Sequence, residues 1–273
     1  MYFVPDNARP EDKAICELIN QGLDSRQLFK AAFSFHQLIA GEKIASKEKN
    51  KISIQNGLFK GTVINPESLS SQLLPKYIGV YEREVQNYLA SIRTPFDCFL
   101  NIGCADGFYL ACIGCWRHIP CVGVDVDPRS AAAIAYIGQV NGISDLVSFS
   151  SSIGEAMQKL NGSILILIDV DGAESKVLEE LHAAMAQNPQ IKNAHLILET
   201  DINAEGNNMN HSWLIRSLCE ESWSIDRLIQ QDPGQRFLAS QSQLSFLDQV
   251  ALGAEGRPGG QSWIAAKRAC NPE

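Results

Sequence analysis

The stretch FLNIGCADGFYLACIGCW, residues 99–116, decides the fold. It opens as a short apolar run, turns through Gly103-Cys104-Ala105-Asp106-Gly107 and continues as a mostly apolar run of helical length. A strand passing to a helix through a glycine-containing turn is the first half of a βαβ unit. The pattern repeats downstream. CVGVDV (121–126) reads as a strand and PRSAAAIAYIGQVNG (128–142) as a helix ended by Asn141-Gly142. LVSFS (146–150) and IGEAMQKL (153–160) follow, then SILILIDV (163–170), a strand so apolar that both faces should be buried. AESKVLEELHAAMA (173–186), AHLILET (194–200) and HSWLIRSLCEE (211–221, with Asn210 as a cap) continue the alternation, and WSIDRLI (223–229) and QSWIAAKR (261–268) read as two further strands.

Strands alternating with helices predict an α/β fold: a Rossmann-like, doubly wound, mostly parallel sheet spanning residues 96–273. Residues 1–95 have a different texture and predict a helical and hairpin cap. Helices are expected at 10–21 and 24–40, a hairpin about Asn56-Gly57 between ISIQ and LFKGTVI, and one amphipathic helix over 76–92. The segment 231–260, rich in Gln, Gly and Pro, reads as a long loop.

The chain has 273 residues, 45% hydrophobic and 20% charged, which excludes collagen-like and largely disordered classes. With 23 Lys plus Arg against 31 Asp plus Glu, the net charge is -8. That balance opposes nucleic-acid binding, which relies on cations to neutralise phosphates. No run approaches the roughly 20 apolar residues of a membrane helix. The start, MYFVPDNARPEDK, meets charge too early for a secretory signal, so the expected location is cytoplasmic. Of eight Cys, five fall between Cys98 and Cys121. A Cys112–Cys115 CxxC without a second pair reads as core packing, with the thiols reduced and metal-free.

In an open parallel sheet, ligands bind where the strands end. The first strand ends in Asn101-Ile-Gly103-Cys104-Ala105-Asp106-Gly107. A dinucleotide fingerprint would need Gly at 103, 105 and 108, where this chain has Gly, Ala and Phe. The GxAxG form suits an S-adenosylmethionine loop better, where no pyrophosphate must be cradled; a plain glycine-containing turn is the alternative. Asp125 ends the second strand 22 positions after Gly103 and suits ribose hydroxyls. Ser151 and Ser152 end the third and can face an adenine edge or cap the next helix. The fourth strand releases Asp169, Asp171 and Glu174 within six residues. Charges there need partners, and Asp171 and Glu174 also sit where acids favour a helix start.

FLNIGCADGFY, GVDVDP, LILIDVDGAESKVL and LILETD, in that order, resemble the class I S-adenosylmethionine-dependent methyltransferases. LIDVDGAESKVL is similar to the strand-four signature of the FkbM-type members, which carry Glu where this chain has Asp171, and LLPKYIGVYEREV also looks like relatives of that family. The likeness covers residues 70–200. It implies S-adenosyl-L-methionine as cofactor and, as acceptor, a small-molecule or sugar-like hydroxyl. It further implies that Asn101 to Gly107 hold the methionine end, Asp125 the ribose, Ser151 or Ser152 the adenine, and that Asp169 faces the reaction centre. Cys104, Tyr109 and Val126 complete the cofactor set. Asn101 stands where the family usually has an acid. Asp169, Asp171, Glu174 and Glu199 are the candidate catalytic carboxylates, with Asp201 and His211 as further bases. The expected site is metal-free; a magnesium-assisted variant would use Asp169, Asp201 and Asn203. Other readings are an NAD-linked oxidoreductase and a non-catalytic adenosyl-compound binder.

Overall fold

A computed structural model describes residues 13, 17, 20, 22, 51–67, 73–170, 172–200, 211–232 and 261–269. The elements are β1 (Ile52–Ser53), β2 (Val63–Ile64), α1 (Leu73–Ile78), α2 (Arg83–Ser91), β3 (Cys98–Ile102), α3 (Phe108–Arg117), β4 (Cys121–Val124), α4 (Arg129–Asn141) and β5 (Val147–Ser150). They continue with α5 (Ile153–Gln158), β6 (Gly162–Ile168), α6 (Glu174–Ala186), β7 (Ile191–Thr200), α7 (His211–Glu220), β8 (Ser224–Gln230) and β9 (Ser262–Ala269).

Seven strands form one sheet in the order β5-β4-β3-β6-β7-β9-β8. Strands β3 to β7 are parallel, and β9 lies antiparallel between β7 and β8. This is the Rossmann-like, doubly wound, mostly parallel architecture expected from the alternation. Its cause is visible in β6. Ile164, Ile166 and Ile168 join a core beneath α5, α6 and α7, with Leu178, Leu181, Leu214 and Leu218. Leu165 and Leu167 join the opposite core, with Leu110 and Ile113 of α3 and Ile134 and Ile137 of α4. A strand buried on both faces must be apolar where it is buried, and β6 is so from Ile164 to Ile168. Ser152 caps α5, its hydroxyl accepting from Glu155 N. Gly142 closes α4 in the left-handed conformation.

Two local expectations need correction. The Asn56-Gly57 pair does not make a two-residue turn. The hairpin pairs Ile52 with Ile64, and Ile54 N donates to Thr62 O (2.9 Å), so the chain reverses over a longer bend. Nor do residues 76–92 form one helix. The chain breaks between α1 and α2, where Gly79 runs at φ +88 and Glu82 adopts a left-handed conformation (φ 44, ψ 51). The break follows from a close approach: a Cβ on Gly79 would lie 2.0 Å from the carbonyl oxygen of Asn56. The hairpin and α2 pack into the core of α3 through Ile52, Ile54, Phe59, Val85 and Leu89. Asn141 of α4 fastens the hairpin, exchanging hydrogen bonds with Val63 N (2.8 Å) and Val63 O (2.7 Å). The expected helix at 24–40, the cap Asn210 and nearly all of the 231–260 loop lie outside the described residues. Among the described residues, no helix is long and apolar enough to cross a membrane.

Candidate active site

The strand order reverses between β3 and β6, and the loops at their C-terminal ends meet there. Gly103 runs at φ +80, and a Cβ on it would lie 1.7 Å from the carbonyl oxygen of Asp169. Only glycine lets the 103–107 turn lie this close to the end of β6. Asp169 N donates to Ile102 O (3.0 Å), while Gly103 N and Cys104 N both donate to Val124 O (2.8 and 3.2 Å). The three strand ends are thereby laced together.

Asp125 holds the loop in shape. Its Oδ2 accepts from Ala105 N (2.7 Å) and its Oδ1 from Asp127 N (2.8 Å). Ala105 sits in the left-handed region at φ 44, a conformation costly for a residue with a Cβ. A carboxylate oxygen has two lone pairs, so each retains capacity for a hydroxyl donor after taking its amide. The Asp125 carboxylate is therefore a loop brace with acceptor capacity left over, a role the expected ribose contact did not include. Val126, next along, is fully exposed. Ser151 and Ser152 are exposed too, but they close on their own helix: Ser151 Oγ donates to Glu155 Oε2 (2.8 Å) and Ser152 Oγ accepts from Glu155 N (3.3 Å). The helix-cap alternative describes their contacts.

Asn101 is buried on β3, its amide donating to Leu167 O at 3.4 Å. Cys104 is buried, and desolvation followed by the nearby Asp125 charge pushes its thiol far above the ordinary range. Cys98, Cys112 and Cys121 are also buried and their thiols are likewise raised by burial, Cys98 to about 12. They pack as small apolar side chains. Phe108 occupies the place of the third dinucleotide glycine. Its ring stands edge-on to Tyr81 (5.1 Å) and Tyr109 (5.2 Å), so an aromatic core fills that position.

Of the candidate catalytic acids, Asp169 is half-buried and Glu199, near the end of β7, is buried. Both join a group the sequence did not suggest. Carboxylate oxygens of Glu82, Asp169 and Glu199 all lie within 4.8 Å of one another. Glu82 comes from the break between α1 and α2; in a continuous helix it would have faced away from the apolar stripe. Tyr109 OH donates to Glu82 Oε2 at 2.5 Å, and Gln261, ahead of β9, donates its amide to Glu199 Oε1. Burial first, then Glu82, raises the Tyr109 phenol well above its ordinary value, so it stays a neutral donor. Glu174 is not in this group: its Oε1 accepts from Gly172 N (2.8 Å) and closes the turn before α6. Asp171, Asp201 and Asn203 lie outside the described residues, as does the His211 side chain.

A second feature went unforeseen. Lys76 of α1 places its Nζ 2.5 Å from Asp106 Oδ2, with the two side chains only 2% and 5% exposed. The ammonium also lies 5.3 Å from the Tyr81 ring centre and 5.1 Å from that of Phe108. Asp106 Oδ1 accepts from Phe108 N (3.2 Å) at the start of α3. One carboxylate thus links α1 to the glycine loop. The signal was in plain view: a lysine within LLPKYIGV has little but apolar surface to bury against unless it meets an acid.

No family model and no curated protein matches the chain. Among solved structures it is similar to an S-adenosylmethionine-dependent methyltransferase from Geobacter sulfurreducens in complex with S-adenosyl-L-homocysteine. Identity is 13% over 68% of this chain and 90% of that one, with a TM-score of 0.43. It is similar to a geranyl diphosphate C-methyltransferase from Streptomyces coelicolor A3(2), 12% identical over 84% of this chain and 98% of that one (TM-score 0.47). A human methyltransferase 10 domain containing protein is 13% identical over 85% and 98% (TM-score 0.46).

Proposed function

We propose that the chain is an S-adenosyl-L-methionine-dependent methyltransferase of the FkbM type that methylates a small-molecule or sugar-like hydroxyl. The observation that carries this reading is the 103–107 turn, seated on the Asp169 carbonyl at the switch point and braced by Asp125. The acidic group of Glu82, Asp169 and Glu199 shares Asp169 with this contact and so lies beside the turn. The cofactor supplies an electrophilic methyl on a sulfonium. With that cofactor bound, the acceptor oxygen would form the new C–O bond as the C–S bond broke and its electron pair returned to sulfur. The hydroxyl proton leaves to a carboxylate, and Asp169 and Glu199 stand at the strand ends to take it. Alignment of acceptor and methyl does the remaining work. Neither nucleic acid nor membrane is part of this proposal.

Calorimetry tests it. S-adenosylmethionine and S-adenosylhomocysteine should bind and NAD should not; heat with NAD and none with either adenosyl compound would reverse the assignment. In the same experiment Asp125→Ala should weaken cofactor binding by about 1.5–3 kcal/mol, from lost charge-assisted bonds and a loosened loop. An unchanged dissociation constant would remove Asp125 from the site. Asp169→Asn should lower turnover by about 10²-fold while cofactor still binds. Turnover within a factor of three of wild type would leave Asp169 with only its backbone role.

A further inference from the structure

We propose that Glu82, Asp169, Glu199 and Gln261 form a binding site for one hard divalent cation. Three chain segments distant in sequence bring a carboxylate each to one point, with oxygens no more than 4.8 Å apart. Ligands about 2.4 Å from an ion and on opposite sides of it span that distance. Calcium, manganese and magnesium all hold oxygen ligands at separations inside that limit. The donor set is oxygen only, which selects hard cations over zinc or copper.

A second, separate observation concerns Gln261. It is 3% exposed, and its amide end reaches the group, since Nε2 donates to Glu199. Its other atom, Oε1, is buried and accepts no hydrogen bond. A buried amide oxygen without a donor costs free energy on the order of 1–3 kcal/mol. Set beside three carboxylates, an acceptor of this kind is satisfied by a cation and by nothing that merely accepts. The backbone shows the same point from another side. Glu82 reaches the group only by adopting the left-handed region at φ 44, which a Glu side chain disfavours. Tyr109 fixes one Glu82 oxygen by donating to Oε2, which orients the carboxylate toward its neighbours.

The site stands on this geometry alone. Its use in catalysis rests on the proposed methyl transfer: an ion held here would bind the acceptor oxygen and make its proton easier to lose. The set shares Asp169 with the magnesium variant considered from sequence but takes Glu82, Glu199 and Gln261 in place of Asp201 and Asn203.

The test uses the metal alone on the full chain. After chelation and desalting, Mn2+ is titrated and the free ion is followed by electron paramagnetic resonance, with Ca2+ as competitor. One Mn2+ should bind per chain. Glu82→Gln and Glu199→Gln should each weaken it at least 10-fold, and the exposed control Glu180→Gln should leave it unchanged. Absence of stoichiometric Mn2+ binding to the wild-type chain overturns the proposal, whatever the variants do. So does binding that survives both substitutions in folded protein. Calorimetry of the stripped chain with S-adenosylmethionine separates the two ideas. Cofactor binding without metal binding sinks the ion site only, and metal binding without cofactor binding sinks the methyltransferase reading only.

Discussion

Gly103→Ala should abolish measurable cofactor binding and lower unfolding free energy by about 3 kcal/mol or more. Two penalties combine. The residue runs at φ +80, where a Cβ is disfavoured, and that Cβ would lie 1.7 Å from the Asp169 carbonyl oxygen. The obstacle is backbone directly after β6, which is buried from Ile164 to Ile168, so no side chain can swing aside. Relief requires the 103–107 turn to lift from β6, which breaks the bonds from Gly103 N and Cys104 N to Val124 O and from Ala105 N to Asp125 that fix its shape. Gly142→Ala is the comparison. Gly142 also has positive φ (+68), but nothing lies within 4 Å of its Cβ position. It should cost only about 1 kcal/mol and leave cofactor affinity intact. Chemical denaturation and calorimetry on both variants decide the matter. If Gly103→Ala behaves like Gly142→Ala, the close approach has no role in shaping the site.

Lys76→Met should cost about 3–5 kcal/mol, because it strands the Asp106 carboxylate in an interior that had been neutralised by an ammonium 2.5 Å away. The size of that cost comes from the charge left behind more than from the bond lost. Adding Asp106→Asn to Lys76→Met should therefore recover more than half of it, since the amide is neutral and its oxygen can still accept from Phe108 N. A Lys76→Met variant within 1 kcal/mol of wild type would show that the pair contributes nothing net. A double variant no better than the single one would show that the loss comes from packing of the lysine stem against Tyr81 and Phe108.

The parallel sheet was legible because its cause is local and repetitive. ILILI (164–168) and CVGV (121–124) are apolar throughout, FLNI (99–102) departs only at Asn101, and helices lie between the strands. Strand and helix bounds from 97 to 230 fall within a few residues of those read from the pattern. The glycine turn was legible because the backbone demands a particular residue type at 103. What failed depends on distant neighbours. Gly79 breaks the expected 76–92 helix because Asn56 presses on it, and nothing within 76–92 reports that contact. Once the helix breaks, Glu82 turns inward, so a periodicity argument places it on the wrong side. A glycine inside an amphipathic pattern was the available warning. For Glu174 the sequence offered both a catalytic acid and a helix-start role, and its contact with Gly172 N is of the second kind. Gln261 became visible only through β9, whose register sets Thr200 opposite Ser262.

That register has a consequence for how the molecule is made. β8 ends at Gln230 and β9 begins at Ser262, yet β9 lies between β7 and β8. On the ribosome, β8 is synthesised before the strand that must separate it from its neighbour, and it can join the sheet only when β9 arrives. Until then the open edge of β7, carrying Leu196 and Leu198, has no partner on that side. Such an edge invites pairing with another chain, and nascent chains stalled between these two strands would be the aggregation-prone species in expression.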